Sequence, residues 1–135
     1  MEVIYTFSDK QVRELHALYQ QEWWTESRSL SDTVKCIEGS QICIGVIDSG
    51  GTLQGFVRVL TDYIFKALIF DLIVTNNDRG TGIGNKLLAL VKNHQQLQGV
   101  KHFELYCLPE LFSFYEQQGF SSDVGDIKLM RCKKV

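Results

Sequence analysis

Residues 67–84 read ALIFDLIVTNNDRGTGIG, and this stretch decides the fold. Its first part, Ala67–Thr75, is almost continuously apolar, as expected of a strand that is buried on both faces. Glycines then recur at every second position, and an apolar stripe at helical spacing follows, formed by Ile83, Leu87, Leu90 and Val91. We therefore predict a buried strand, a glycine-rich turn and a strong helix, in that order.

The turn Arg79-Gly80-Thr81-Gly82-Ile83-Gly84 is a candidate anion site. The first N–H groups of a helix lack partners, and the helix dipole favours negative charge at that end. Glycines let an anion approach the backbone, while Arg79 and Lys86 add positive charge. The GxGxG spacing is neither the GxGxxG of dinucleotide folds nor a Walker loop. A flexible turn without a ligand remains the alternative for this stretch taken alone.

The rest of the chain predicts an alternation of helices and strands. Ser8 and Gln11 form a capping box before a first helix that reaches about Glu22, with Trp23 on its apolar side. The remaining predicted elements are strands at 2–7, 41–48, 52–62 and 100–107, helices at 31–38 and from Pro109 to Gly119, and two short strands within 120–135. This order predicts an α/β fold with a mixed sheet.

The composition sets limits on the class of protein. The chain has 135 residues, enough for one domain (1–135), and 44% of them are hydrophobic. A net charge of −2 argues against nucleic acid as a partner. Lys66 and Asp71 interrupt the longest apolar run, so we expect a cytoplasmic protein with no membrane partner. The four cysteines have no metal-ligand spacing, which predicts reduced thiols and no metal site.

Two motifs carry a family resemblance. Val74 followed five positions later by Arg79–Gly84 resembles the R/Q-x-x-G-x-G/A signature of the GNAT N-acetyltransferase superfamily. Phe114–Phe120, FYEQQGF, resembles the late F-Y-x-x-x-G-F motif of the same family. The resemblance covers essentially the whole chain. It implies a mixed, mostly antiparallel sheet with splayed central strands, flanked by about four helices.

The resemblance also implies how acetyl-CoA, the expected co-substrate, is held. The backbone of Leu72, Ile73 and Val74 would pair with the pantetheine arm, and the Ile73 or Val74 amide would polarise the thioester carbonyl. Tyr115 would protonate the departing thiolate. Many members carry an asparagine near Leu108–Leu111 that is missing here, so Ser113 or the backbone would take its place. The pyrophosphate would bind the amides of Arg79, Gly80, Thr81, Gly82, Ile83, Gly84 and Asn85.

The acceptor side is less defined. Asp71 is a candidate base, although a charged residue in an apolar strand is equally compatible with a structural network. Glu22, Glu26 and Asp62 are further acidic candidates, and together they favour a cationic acceptor. Trp24 and Tyr63 are candidate pocket residues, whereas packing is the better interpretation of Trp23.

We therefore expect an N-acetyltransferase that moves an acetyl group directly from acetyl-CoA to a primary amine of a small molecule, as a monomer or homodimer. The alternative is a non-catalytic acyl-CoA-binding sensor or interaction module. A nucleotide-phosphate binder would need a Walker-type lysine that the sequence lacks.

Overall fold

The computed structural model describes residues 1–134 and contains five strands and four α-helices in this part of the chain. Three 3₁₀ turns connect them, at Asn76–Asp78, Gln95–Leu97 and Pro109–Leu111. The main elements are β1 (Glu2–Ile4), α1 (Asp9–Gln20), α2 (Leu30–Glu38), β2 (Ile42–Ile47), β3 (Leu53–Thr61), β4 (Lys66–Val74), α3 (Ile83–Lys92), β5 (His102–Leu105) and α4 (Phe112–Glu116).

The five strands form one sheet in the order in which they occur along the chain. All neighbours are antiparallel except β4 and β5, which are parallel. The β4–β5 ladder runs only from the pair Lys66–His102 to the pair Ile69–Leu105. The second half of β4 has no partner on that side, so the two strands diverge. The predicted α/β class, the mostly antiparallel sheet, the splayed strands and the four helices are confirmed.

The sheet is covered on both faces by separate clusters of apolar side chains. On one face, α3 packs Ile83, Leu87, Leu88 and Val91 against β2, β3 and β4. On the other face, α1 packs Leu15, Leu18 and Tyr19 against residues that include Phe56 and Ile73. Burying the sheet on both faces removes most of its apolar surface from water, which is the main stabilising term of the fold.

Gly55 brings α3 close to the sheet. A Cβ atom at this position would lie 2.8 Å from Cγ2 of Ile83 and 3.0 Å from Cδ1 of Leu87. Ile83 is the first residue of α3, so the absence of a side chain at position 55 sets how closely the start of α3 approaches β3. The glycine-rich turn precedes this residue directly and is positioned by the same contact.

The helix ends are capped by side chains. Ser8 and Gln11 form the predicted capping box of α1. Ser29 and Asp32 form a second box, so α2 begins at Leu30 rather than at Ser31. The helix α1 ends at Gln20, and the packing predicted for Trp23 is wrong: its residue is 70% exposed, because the chain turns away from the helix before reaching it.

The prediction of two short strands in the tail is wrong for the residues that the structure describes. Residues 121–134 contain no strand, and their side chains are exposed, including Ile127, Leu129 and Met130. A strand needs a partner for its backbone groups, and no neighbouring strand pairs with this segment. Val135 lies outside the described residues. Among residues 1–134, no helix has the length and apolar character needed to cross a membrane.

Candidate functional site

A bulge in β4 turns the strand over. Asp71 has a positive φ of 57°, and the pairing with β3 shifts between Phe56 and Arg58. Residues an even number apart on a regular strand face the same side. Ile69 and Ile73, however, belong to the clusters on opposite faces of the sheet. The extra residue therefore changes which side chains face α1, as bulges near functional sites commonly do.

The free edge of β4 begins where the ladder with β5 ends, at Ile69 and Leu105. The N–H of Thr75 bonds to the carbonyl of Gln54 over 2.9 Å and so points towards β3. Peptide groups along an antiparallel pair alternate in direction, which turns the N–H of Ile73 towards β3 and those of Leu72 and Val74 towards the gap. Leu72 and Val74, rather than Ile73, therefore present donors on the open edge.

The glycine-rich turn presents unpaired backbone donors. Gly80 and Gly82 have φ values of 80° and 90°, which favour glycine, and nothing lies within 4 Å of where their Cβ atoms would be. The N–H groups of Gly80 and of residues 82–85 bond to no other group within residues 1–134. Five donors thus face an open space at the start of α3, where the helix dipole favours an anion.

Side chains around the turn are already engaged. The guanidinium of Arg79 forms an ion pair with Glu22, which lies just beyond α1. The hydroxyl of Thr81 donates to the carbonyl of Asp78, and the Asn85 side chain accepts a hydrogen bond from Gln118 over 3.1 Å. The turn is therefore braced from both sides, and its backbone rather than its side chains is free to bind.

Tyr115 lies on α4 and its ring packs between two phenylalanines. The ring centroids are 5.0 Å from Phe114 and 6.0 Å from Phe120. Burial, followed by the nearby Cys107, raises the pKa of Tyr115 to about 12. Its hydroxyl has no hydrogen-bond partner within residues 1–134, so the phenol is protonated at neutral pH and free to donate. Ser113 lies exposed on the same helix.

Asp71 is held in a dense network on the α1 face. Its Oδ2 accepts hydrogen bonds from the Tyr19 hydroxyl (2.9 Å), Arg28 Nη1 (2.6 Å) and Arg58 Nε (2.6 Å). Arg28 Nη2 also reaches Oδ1 at 3.1 Å. Burial alone would raise the pKa of Asp71, but hydrogen bonds and charge from Arg28 and Arg58 outweigh it and hold the pKa below its usual value. This geometry matches the structural network that the sequence left open.

The four residues expected on the acceptor side lie in two separate places. Glu22 and the half-exposed Trp24 lie beyond the end of α1, with Glu22 against the glycine-rich turn. Asp62 and Tyr63 lie in the β3–β4 turn, at the opposite end of β4, which spans about 25 Å at the usual rise per residue. The Asp62 carboxylate accepts the backbone N–H groups of residues 64–66, which lowers its pKa and organises the turn.

Sequence reasoning missed Tyr19, Arg28 and Arg58. A usable signal was present, because Asp71 in an apolar strand requires a buried cation, and Arg58 interrupts the otherwise apolar run of β3. Nothing in the spacing of Arg28 points to Asp71, since 43 residues separate the two.

The comparisons with known proteins agree with this geometry. A family model described as an acetyltransferase (GNAT) domain matches residues 38–122. An uncharacterized N-acetyltransferase, ycf52, from Pyropia yezoensis is 30% identical to this chain, covering 94% of it and 75% of the relative.

Solved structures show the same fold. A protein of Xanthomonas campestris described as belonging to the GNAT family superposes with a TM-score of 0.82, at 25% identity, covering 99% of this chain and 94% of the other. An aminoglycoside 6'-N-acetyltransferase complexed with coenzyme A has a TM-score of 0.65 at 17% identity, covering 78% of this chain and 61% of the other. The motifs, the sheet with its diverging strands and these matches lead to one conclusion: the chain belongs to the GNAT acetyltransferase family.

Proposed function

We propose that this protein transfers an acetyl group directly from acetyl-CoA to a primary amine of a small molecule. One observation carries the proposal: the unpaired N–H groups of the glycine-rich turn and the open edge of β4 adjoin each other. Together they offer a continuous line of backbone donors from the start of α3 to the bulge. Such a line suits an elongated ligand with a diphosphate at one end and amide groups along its length.

The residues present fit coenzyme A. The amides of Gly80 and of residues 82–85 would hold the pyrophosphate, because their donors are free and no side chain covers them. The Leu72 and Val74 amides would hydrogen-bond the pantetheine arm and the thioester oxygen, which gains negative charge during transfer. Arg79 adds positive charge nearby, although Glu22 partly neutralises it.

Tyr115 would supply the proton that the departing thiolate needs. Its hydroxyl is free, and its raised pKa keeps the phenol protonated at the working pH. The same burial disfavours a thiolate, as shown by the raised pKa of the neighbouring Cys107 thiol. Because thiol and phenol share this environment, the negative charge on sulfur is destabilised and proton transfer from Tyr115 becomes easier.

Asp71 would act on the geometry of β4 rather than on protons. A carboxylate whose pKa lies below its usual value is a weak base, and two arginines and a tyrosine occupy its oxygens. In this proposal Asp71 holds the bulge that turns Leu72 towards the gap, and the proton of the attacking amine leaves through water. A cytoplasmic location and a monomeric or homodimeric state belong to the same proposal.

The test is thiol release from acetyl-CoA across a panel of primary amines. Tyr115→Phe is expected to lower kcat by about 100-fold or more, the usual contribution of a general acid, while CoA still binds. Tyr106→Phe is the matched control, because Tyr106 is exposed at the end of β5 and contacts Phe70 only through its ring. We expect it to keep most of the activity.

If no amine stimulates thiol release while CoA binds tightly, the enzyme proposal fails and a non-catalytic acyl-CoA sensor takes its place. If Tyr115→Phe and Tyr106→Phe have equal, small effects, Tyr115 is a packing residue and the acid lies elsewhere.

A further inference from the structure

A cavity of about 460 Å³ opens on the α1 face of the sheet, between α2 and β3. Arg28, Lys35 and Arg58 contribute positive charge to its wall, and Asp32 contributes negative charge. Arg28 and Arg58 also bond to Asp71, so the cavity lies directly against the bulge of β4.

The cavity has an excess of positive charge. Asp71 is one carboxylate shared by two guanidinium groups, and the Tyr19 hydroxyl also donates to it. Asp32 accepts the backbone N–H of Ser29 at the start of α2, so its charge serves the helix cap. Lys35 forms no ion pair within residues 1–134. Taken together, these groups leave one net positive charge on the wall.

Hydrogen-bond donors also remain free there. Arg58 uses Nε for Asp71, and its Nη1 lies 3.3 Å from the Ser40 hydroxyl. A guanidinium carries five N–H donors and an ammonium carries three, so Arg58 and Lys35 retain donors that nothing in the described chain accepts. Unpaired donors on a cationic wall are the chemistry that recognises carboxylate or phosphate.

The cavity adjoins the place where β4 and β5 separate. The Arg58 guanidinium lies over the Phe70 ring, 5.2 Å from its centroid. Phe70 in turn contacts the ring of Tyr106, which follows β5 directly, with centroids 6.0 Å apart. A molecule with one end in the cavity therefore has its other end next to the free edge of β4.

We infer that this cavity binds an anionic group of the acceptor, so that the acceptor is a primary amine that also carries a carboxylate or a phosphate. The inference rests on the proposed function. It departs from the cationic acceptor expected from the sequence, because the acidic residues behind that expectation are engaged. Asp71 is paired with arginines, Asp62 with backbone N–H groups and Glu22 with Arg79.

The experiment uses four small amines that differ in the charge of their second group: ethanolamine, β-alanine, O-phosphoethanolamine and 1,3-diaminopropane. Thiol release gives kcat and KM, and calorimetry with CoA present gives amine binding without turnover. We expect β-alanine or O-phosphoethanolamine to exceed ethanolamine at least tenfold in kcat/KM, and the better of the two identifies the anion. Lys35→Glu should raise KM for the anionic amines at least tenfold, leave kcat and the KM of ethanolamine unchanged, and favour the diamine. Lys10→Glu, the same charge change in the first turn of α1, should alter none of these values.

A preference for ethanolamine or the diamine in the wild type, unchanged in Lys35→Glu, would overturn the inference and leave the proposed function standing. Thiol release with no amine would overturn the proposed function instead. Lys35-dependent binding of β-alanine or O-phosphoethanolamine would then still support the anionic site.

Discussion

The Tyr19 hydroxyl donates a hydrogen bond to Oδ2 of Asp71 over 2.9 Å, joining α1 to the bulge of β4. Both residues are buried, and the edge of the Tyr19 ring also packs on Phe56 of β3. Burial next to the carboxylate raises the pKa of Tyr19, so it donates at every physiological pH. The shape of the open strand edge therefore depends on a helix and on two arginines far away in sequence.

Asp71→Asn is expected to destabilise the protein by about 3 kcal/mol or more, because it leaves Arg28 and Arg58 beside each other without a counter-charge. Asparagine tolerates the positive φ of this position, so backbone strain stays small. Urea unfolding measures the change, and Asp123→Asn, an exposed position in the tail, is the control. A loss below about 1 kcal/mol would contradict a stabilising role for the network.

The contribution of Asp71 should depend on pH. Its pKa in the folded protein lies below the usual value, so its stabilising effect is present above the ordinary carboxyl pKa of about 4 and lost as the pH falls through the folded value. The difference in unfolding free energy between wild type and Asp71→Asn should therefore be constant near neutral pH and shrink in acid. A difference that grows in acid would show that the folded protein raises this pKa.

Gly82→Glu should abolish CoA binding, raising Kd by about 100-fold or more. The new side chain would fill the space above the free amides, bring negative charge against a diphosphate and strain a φ of 90°. Gly125→Glu is a matched control, since Gly125 also has a positive φ, of 74°, and nothing near its Cβ position. Calorimetry with CoA gives both constants. Unchanged affinity in Gly82→Glu would show that the pyrophosphate binds elsewhere.

Glu22→Gln should have a small effect. Glu22 pairs with Arg79, whose side chain is 51% exposed, and exposed pairs contribute less than about 1 kcal/mol. We expect CoA affinity to change by no more than about threefold and kcat to remain, because Arg79 is freed rather than lost. A fall in kcat of about 100-fold with CoA binding intact would place Glu22 in proton transfer instead. Steady-state kinetics across the pH range separates the two results.

Much of the fold could be predicted from the sequence because its signals are local. The capping box of Ser8 and Gln11, the apolar run of β4 and the glycines before α3 each act within a few residues. Element ends were less certain, as Trp23 shows, because a helix ends where tertiary contacts stop supporting it. The tail was mispredicted for a related reason, since a strand exists only where another strand accepts its backbone.

The candidate site divides in the same way. The sequence by itself determined that residues 79–84 form a glycine-rich helix start, because positive φ values and free N–H groups are properties of a short segment. It also determined that a phenol follows at Tyr115 and that Asp71 interrupts an apolar strand. Only the tertiary structure decided what Asp71 does, because the partners that fix its charge come from three distant segments. The same holds for the cationic cavity: Arg28, Lys35 and Arg58 share no spacing, and only the packing of α2 against β3 places their charges together.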